Sequence, residues 1–220
     1  MRFAATLFAS LLLTGALSCA AVAADATPQR NDPLLQDIER YLLLYSATGD
    51  ERFLDRLNSL GVVFEQKLAV QDQATALKDI WQLYQQTLAK VKDAYTKKGV
   101  DLKLAVKQTR EVADLFSAFL APDAAATAPQ PGGDLRELAL LEARKANAKL
   151  LGAPSDAETK RIGELRESLQ RQLEALPAGA DREKLLMRWA YLRKTETADG
   201  TLLYPFNAQI EYLSTHLPQG

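Results

Sequence analysis

The sequence predicts an all-α protein made of two tandem helical-bundle modules of about four helices each, produced by an internal duplication, and three observations predict it. Apolar residues recur at three- and four-residue steps from residue 33 almost to the end, and no segment sustains the two-residue alternation of a strand. Trp189 stands 108 positions after Trp81, and the same offset pairs Leu54 with Ile162, Leu57 with Leu165, Leu68 with Leu176 and Leu77 with Leu185. Self-similarity at a fixed offset is what a copied supersecondary unit leaves behind. Between the halves, APDAAATAPQPGG runs from Ala121 to Gly133, where prolines forbid helix continuation and glycines loosen the backbone. The boundaries are therefore a module over 32–121, a linker over 122–133 and a second module over 134–217.

The first helix begins at Pro33, behind the capping candidate Asp32, and runs to about Thr48, where Gly49 stops it. The second, from Asp50 to about Val70, places Leu54, Leu57, Gly61, Phe64 and Leu68 on one stripe. The third, from Gln73 to about Lys98, aligns Leu77, Trp81, Tyr84, Leu88, Val91 and Tyr95 in alternating four- and three-residue steps. Gly99 ends it, and Leu102, Ala105, Thr109, Val112, Phe116 and Phe119 mark the inner face of a fourth. The second half repeats the plan over Asp134 to Leu151, Ser155 to Leu176, Ala180 to Lys194 and roughly Pro205 to Leu217. Gly152-Ala153-Pro154, Pro177-Ala178-Gly179 and Asp199-Gly200 punctuate it. Short connections between helices make antiparallel neighbours.

Residues 1–23 read as a secretory signal peptide: Arg2 gives the positive start, Phe3 to Leu17 the apolar run and Ala21-Val22-Ala23 the small-residue cleavage site. The expected location is the periplasm. That run is shorter than the roughly 18–20 residues that span a bilayer, and no later stretch approaches this length, so no membrane span is expected. Cys19 raises the alternative of a lipid anchor, against which Leu17 sits one place nearer the cysteine than a lipobox has it. Cleavage after Ala23 removes the only cysteine, and with it disulfides, thiolate catalysis and cysteine metal ligands. The 27 basic residues balance 28 acidic ones, which argues against a nucleic-acid partner.

Few residues point to chemistry. His216 is the lone histidine, so a serine triad has one base with no local partner, and neither a phosphate loop nor a Gly-x-Ser-x-Gly elbow occurs. A di-metal bundle needs a Glu-x-x-His motif on two helices, and calcium needs a spaced acidic loop. No metal, cofactor or catalytic residue is expected. Glu164, Glu167 and Glu174 interleave with bases, Glu167 four residues before Arg171, as on a solvated face. The best binding candidates are Arg188, Trp189 and Tyr191, in a short segment that also holds Arg182, Lys184, Arg193 and Lys194, with Tyr84 as their first-half counterpart. Arginine beside tryptophan suits an anion or aromatic-acid pocket. The competing reading puts Trp189 in the core like Trp81, with the basic stems laid over apolar surface.

Tyr41-Leu42-Leu43-Leu44, Gly49-Asp50, Phe64-Glu65 with Leu68, and Ile80-Trp81 with Tyr84 resemble the PilJ-type N-terminal domain of type IV pili methyl-accepting chemotaxis transducers. The resemblance covers about residues 34 to 90, with an echo at Leu173 and Arg188-Trp189, and implies a periplasmic helical sensor module, here detached and in tandem. Nitrate sensors related to that family hold their anion with first-helix arginines. Here Leu34-Leu35-Gln36-Asp37-Ile38-Glu39-Arg40 places acids near where an arginine is wanted, so anion sensing is not carried over.

The expected function is a non-enzymatic sensor-like module binding a small organic acid or anion, or an adaptor for an envelope protein partner. The alternative is a helical periplasmic chaperone or scaffold without a small ligand. A third reading, a secreted chorismate mutase, rests on Phe206-x-x-Gln209-Ile210-Glu211 with Lys149 and Asp156, but Lys160 stands where that family has arginine.

Overall fold

A computed structural model describes residues 32–71, 74–116, 131–197 and 200–217. The expected signal peptide, most of the expected linker and Phe119 lie outside the described residues. The fold is all-α. Helix α1, Pro33–Thr48, starts with proline where a missing N–H costs nothing, and Asp32 accepts from the Leu34 and Leu35 amides at 2.9 and 3.3 Å. Gly49 closes it in the left-handed conformation at φ 67°, its N–H on the Tyr45 carbonyl at 2.7 Å. A side chain there would also strike the Tyr95 ring, about 2.9 Å from the position its Cβ would take. From Ile38 to Ser46 every residue of α1 is buried, so it packs on all sides.

Three amphipathic helices surround it: α2, Glu51–Leu68; α3, Ala74–Thr96; and α4, Leu102–Phe116. The expected core residues Leu54, Leu57, Gly61, Phe64, Leu68, Leu77, Trp81, Tyr84, Leu88, Val91, Ala105, Thr109, Val112 and Phe116 are all buried. Gly61 lets the Trp81 ring lie against α2, since a Cβ there would sit 3.1 Å from Trp81 Cζ2. Phe64 meets Trp81 and Phe116 edge-on at 5.1 and 5.0 Å. Tyr95 departs from the expected core stripe. It is 40% exposed: its ring covers only the last turn of α1, 5.2 Å from the Tyr45 ring, and its hydroxyl donates to the Ser46 carbonyl at 2.6 Å.

The second half contains α5, Pro131–Ala146; α6, Ala148–Leu151; α7, Asp156–Glu174; α8, Ala180–Lys194; and α9, Leu203–His216. The helix expected from Asp134 to Leu151 instead opens at Pro131 and breaks at Asn147. The reason is tertiary: the buried Asn147 amide donates to the carbonyls of Leu43 and Ala143 at 2.9 and 2.8 Å. Ser155 and Glu158 form a capping box at the start of α7. Between α8 and α9 a two-residue antiparallel ladder, β1 Glu196–Thr197 and β2 Gly200–Thr201, adds strand pairing where none was expected.

In the first half α1 packs on α2 and α4, α2 on α3 and α3 on α4. In the second half α5 packs on α7 and α9, α7 on α8 and α8 on α9, the same order. Trp81 and Trp189 are buried on the third long helix of each half. The halves meet where α1 lies on α5. Leu140 and Ala143 of α5 join the first core, while Leu135, Leu138, Ala139 and Leu141 belong to the second. Glu39, buried in α1, ties this seam together by accepting from Arg110 of α4 at 2.9 Å and from Arg144 of α5 at 3.0 and 2.9 Å.

Candidate functional site

Polar side chains stand among the apolar ones of α1. Asp37, Arg40 and Tyr41 lie three and four positions apart on α1, so they share one flank, and that flank faces the seam. There they border a cavity of about 150 Å³. Helix α2 adds Arg56 and Leu60, α5 adds Gly132, Leu135 and Arg136, and α9 adds Ile210, Glu211 and Ser214. Both halves of the chain contribute to its wall.

Arg40 anchors the site. It is 6% exposed, with Nη1 donating to Asn207 Oδ1 at 2.8 Å and Nη2 to Glu211 Oε1 at 2.9 Å. Asp37 lies 3.5 Å from the same Nη2. The Arg40 Nε is buried with no acceptor among the described residues, which is costly for a charged donor unless something else accepts from it. Burial opposes the Arg40 charge, but Tyr41, Asp37 and Glu211 outweigh it and hold the pKa above the ordinary arginine value. Tyr41 donates to Glu211 Oε1 at 2.5 Å. Arg136 approaches from α5 and donates through Nε to Asp37 Oδ2 at 3.1 Å.

Glu211 is the residue whose charge this arrangement sustains. Burial pushes its carboxyl up, yet the Tyr41 hydroxyl and the Arg40 guanidinium prevail and hold it below the usual range. A depressed carboxylate contributes stability that is present above its unfolded pKa and lost as pH falls through the folded value. Glu211→Gln is therefore expected to melt below the parent at pH 7. The gap should close as pH drops below about 4. Thermal melts by circular dichroism from pH 3 to 8 check this, and a deficit constant across that range would contradict it.

The four binding candidates read from the sequence do not gather here. Tyr84 is 1% exposed and lies flat on Trp81, ring centroids 5.0 Å apart, inside the first core. Its hydroxyl has no partner among the described residues, and burial drives its pKa upward. Trp189 fills the second core and donates from Nε1 to Gln170 Oε1 at 2.6 Å. The Arg188 guanidinium lies 4.5 Å from the centre of the Tyr212 ring, and Tyr191 is 52% exposed. None of the four borders the seam cavity.

Among the described residues no group of three or more histidine, cysteine or acidic side chains is placed to hold a metal. His216 stacks on Tyr212 at 4.0 Å. Of the residues behind the mutase reading, Lys149 and Asp156 are exposed, Gln209 is buried in α9, and Lys160 pairs with Glu164 at 3.6 Å. A second concavity, a shallow groove of about 310 Å³ between α3 and α4, is bordered by Leu83 and Leu115, 43% and 46% exposed. Among the described residues no helix is long and apolar enough to cross a membrane.

Sequence reasoning missed Arg40, Tyr41, Arg56, Arg136 and Glu211 because they come from four helices far apart in the chain. A signal was present in α1, where an acid and a base stand on a face that periodicity marks as buried. Buried charges at such positions require partners. Compared with protein-family models, with curated proteins and with solved structures, the chain matches none.

Proposed function

We propose that this chain is a non-enzymatic, sensor-like ligand-binding module that is exported, cleaved after Ala23 and active in the periplasm. The observation that carries the ligand-binding reading is the seam cavity, walled by both halves of the chain and by three arginines, one of them buried with an N–H that has no acceptor among the described residues. A ligand there touches α1, α2, α5 and α9 at once, so its binding free energy bears on how the two modules hold together. The matching order of helix packing in the two halves supports the duplication, and a module seam is where a duplicated bundle gains a site that neither copy has alone. The PilJ-type resemblance in 34–90 fits a detached sensory role.

A thermal-shift screen of nitrate, small organic acids, aromatic amines and amino acids tests this. A ligand at 100 times its Kd stabilises by about 2.7 kcal/mol, roughly 5–10 °C for a chain of this size. Arg136→Gln should abolish the shift, while Arg188→Ala should leave it intact. Intact-mass measurement of periplasmic protein tests export: a mass retaining residues 1–23, or lipid on Cys19, would refute the cleaved form. The groove bordered by Leu83 and Leu115 favours the second reading, an adaptor or scaffold docking a protein partner. That reading takes over if no compound shifts the melt.

A further inference from the structure

We infer that the seam cavity selects a small zwitterion, a molecule carrying the carboxylate and ammonium of an amino acid on a short aliphatic body; this rests on the ligand-binding reading above. Arg136 uses only Nε among the described residues, on Asp37, which leaves both of its Nη groups as donors. Arg56 stands on the exposed side of α2 and reaches the Tyr41 hydroxyl. Two guanidiniums are thus free to take a carboxylate, the planar partner they bind best.

Glu211 is the complementary half. Its Oε1 accepts from both Arg40 and Tyr41, and its Oε2 has no donor among the described residues. An ammonium group supplies donors for that oxygen. A bare anion does not, and it would lie beside the fixed carboxylates of Asp37 and Glu211. An amine without a carboxylate would meet Arg56 and Arg136 with nothing to accept from them. Only a ligand carrying both charges satisfies both sides of the wall.

Size and the rest of the lining narrow the class. A volume of about 150 Å³ corresponds to about five waters. This suits a ligand of half a dozen or so heavy atoms. Leu60, Leu135 and Ile210 supply an apolar wall for a short aliphatic side chain. A small amino acid such as alanine or valine combines all three features.

Isothermal titration of the secreted chain with L-alanine, L-valine, isobutyrate, isobutylamine and nitrate decides the matter. The amino acids should bind at least about tenfold more tightly than either single-charge analogue, the effect of one charge-assisted contact. Glu211→Gln should erase the preference for valine over isobutyrate, and Arg136→Gln the preference for valine over isobutylamine. Arg56→Gln should weaken valine as well; melts of all three variants confirm that each is folded. Isobutyrate or nitrate binding as tightly as valine, or a preference that survives Glu211→Gln, would overturn the zwitterion assignment and leave a plain anion site. Binding by none of the compounds would remove the ligand-binding reading itself.

Discussion

Trp189→Ala is expected to destabilise the protein by about 3–5 kcal/mol, the usual loss when a large aromatic leaves a packed core that cannot collapse into the space. The indole is 2% exposed and sits among Leu185 and Leu192 of its own helix and the apolar faces of α7 and α9. Its truncation also strips Gln170 of its Nε1 donor. Trp81→Ala should cost a similar amount, since that ring is 5% exposed and packs against Phe64, Tyr84 and Phe116. Urea unfolding followed by circular dichroism measures both. A Trp189→Ala protein with the parental midpoint would mean that the second half is not organised around its tryptophan.

Arg166→Leu should be as damaging, by a different route. Arg166 Nη2 lies 2.5 Å from both Glu142 Oε1 and Glu196 Oε2, and Glu142 is fully buried. Thr201 donates to the other Glu142 oxygen at 2.5 Å, so this cluster pins the β1–β2 hairpin to α5 and α7. Removing the guanidinium takes the nearest cation from two carboxylates and leaves Lys145 3.8 Å from Glu142 and Arg193 3.5 Å from Glu196, for which breaking a buried pair suggests about 3–5 kcal/mol. Burial first, and then Glu142, already raise the Glu196 pKa above the ordinary value. For a raised carboxyl, the protonated form is favoured in the folded state, and that advantage disappears as pH rises through the folded pKa. The Arg166→Leu deficit should therefore be largest near pH 7 and shrink toward pH 4. Adding Glu142→Leu to Arg166→Leu should recover part of the loss, because it removes the more deeply buried of the two carboxylates and leaves Glu196, which Arg193 still approaches at 3.5 Å. A double variant less stable than the single would refute this account.

Most helices were legible because an amphipathic face is written locally. The stripe from Leu77 to Val91 needs only a 3.6-residue repeat and one apolar neighbour, and all of its members are buried. Caps were legible for the same reason: Asp32 with Pro33 and Gly49 act within a few residues of the chain. The failures lie where a distant partner decides. Tyr95 continues the stripe but meets only the last turn of α1, and Asn147 breaks a helix to reach the Leu43 carbonyl, 104 positions away.

The seam follows the same rule more strongly. Asp37, Glu39 and Arg40 looked like charges misplaced for anion sensing because a single-chain reading assigned them no partners. Arg110, Arg144, Arg136 and Glu211 are those partners, and they come from other helices. By itself the sequence determined the all-α class, the helix order and the inner faces, since hydrophobic periodicity and turn chemistry act over a few residues. Only the tertiary structure decided that α1 and α5 lie together, which charges meet between them, and that a cavity opens there. Those outcomes depend on electrostatic and packing partners that the chain keeps up to 171 positions apart and that only folding brings within hydrogen-bond range.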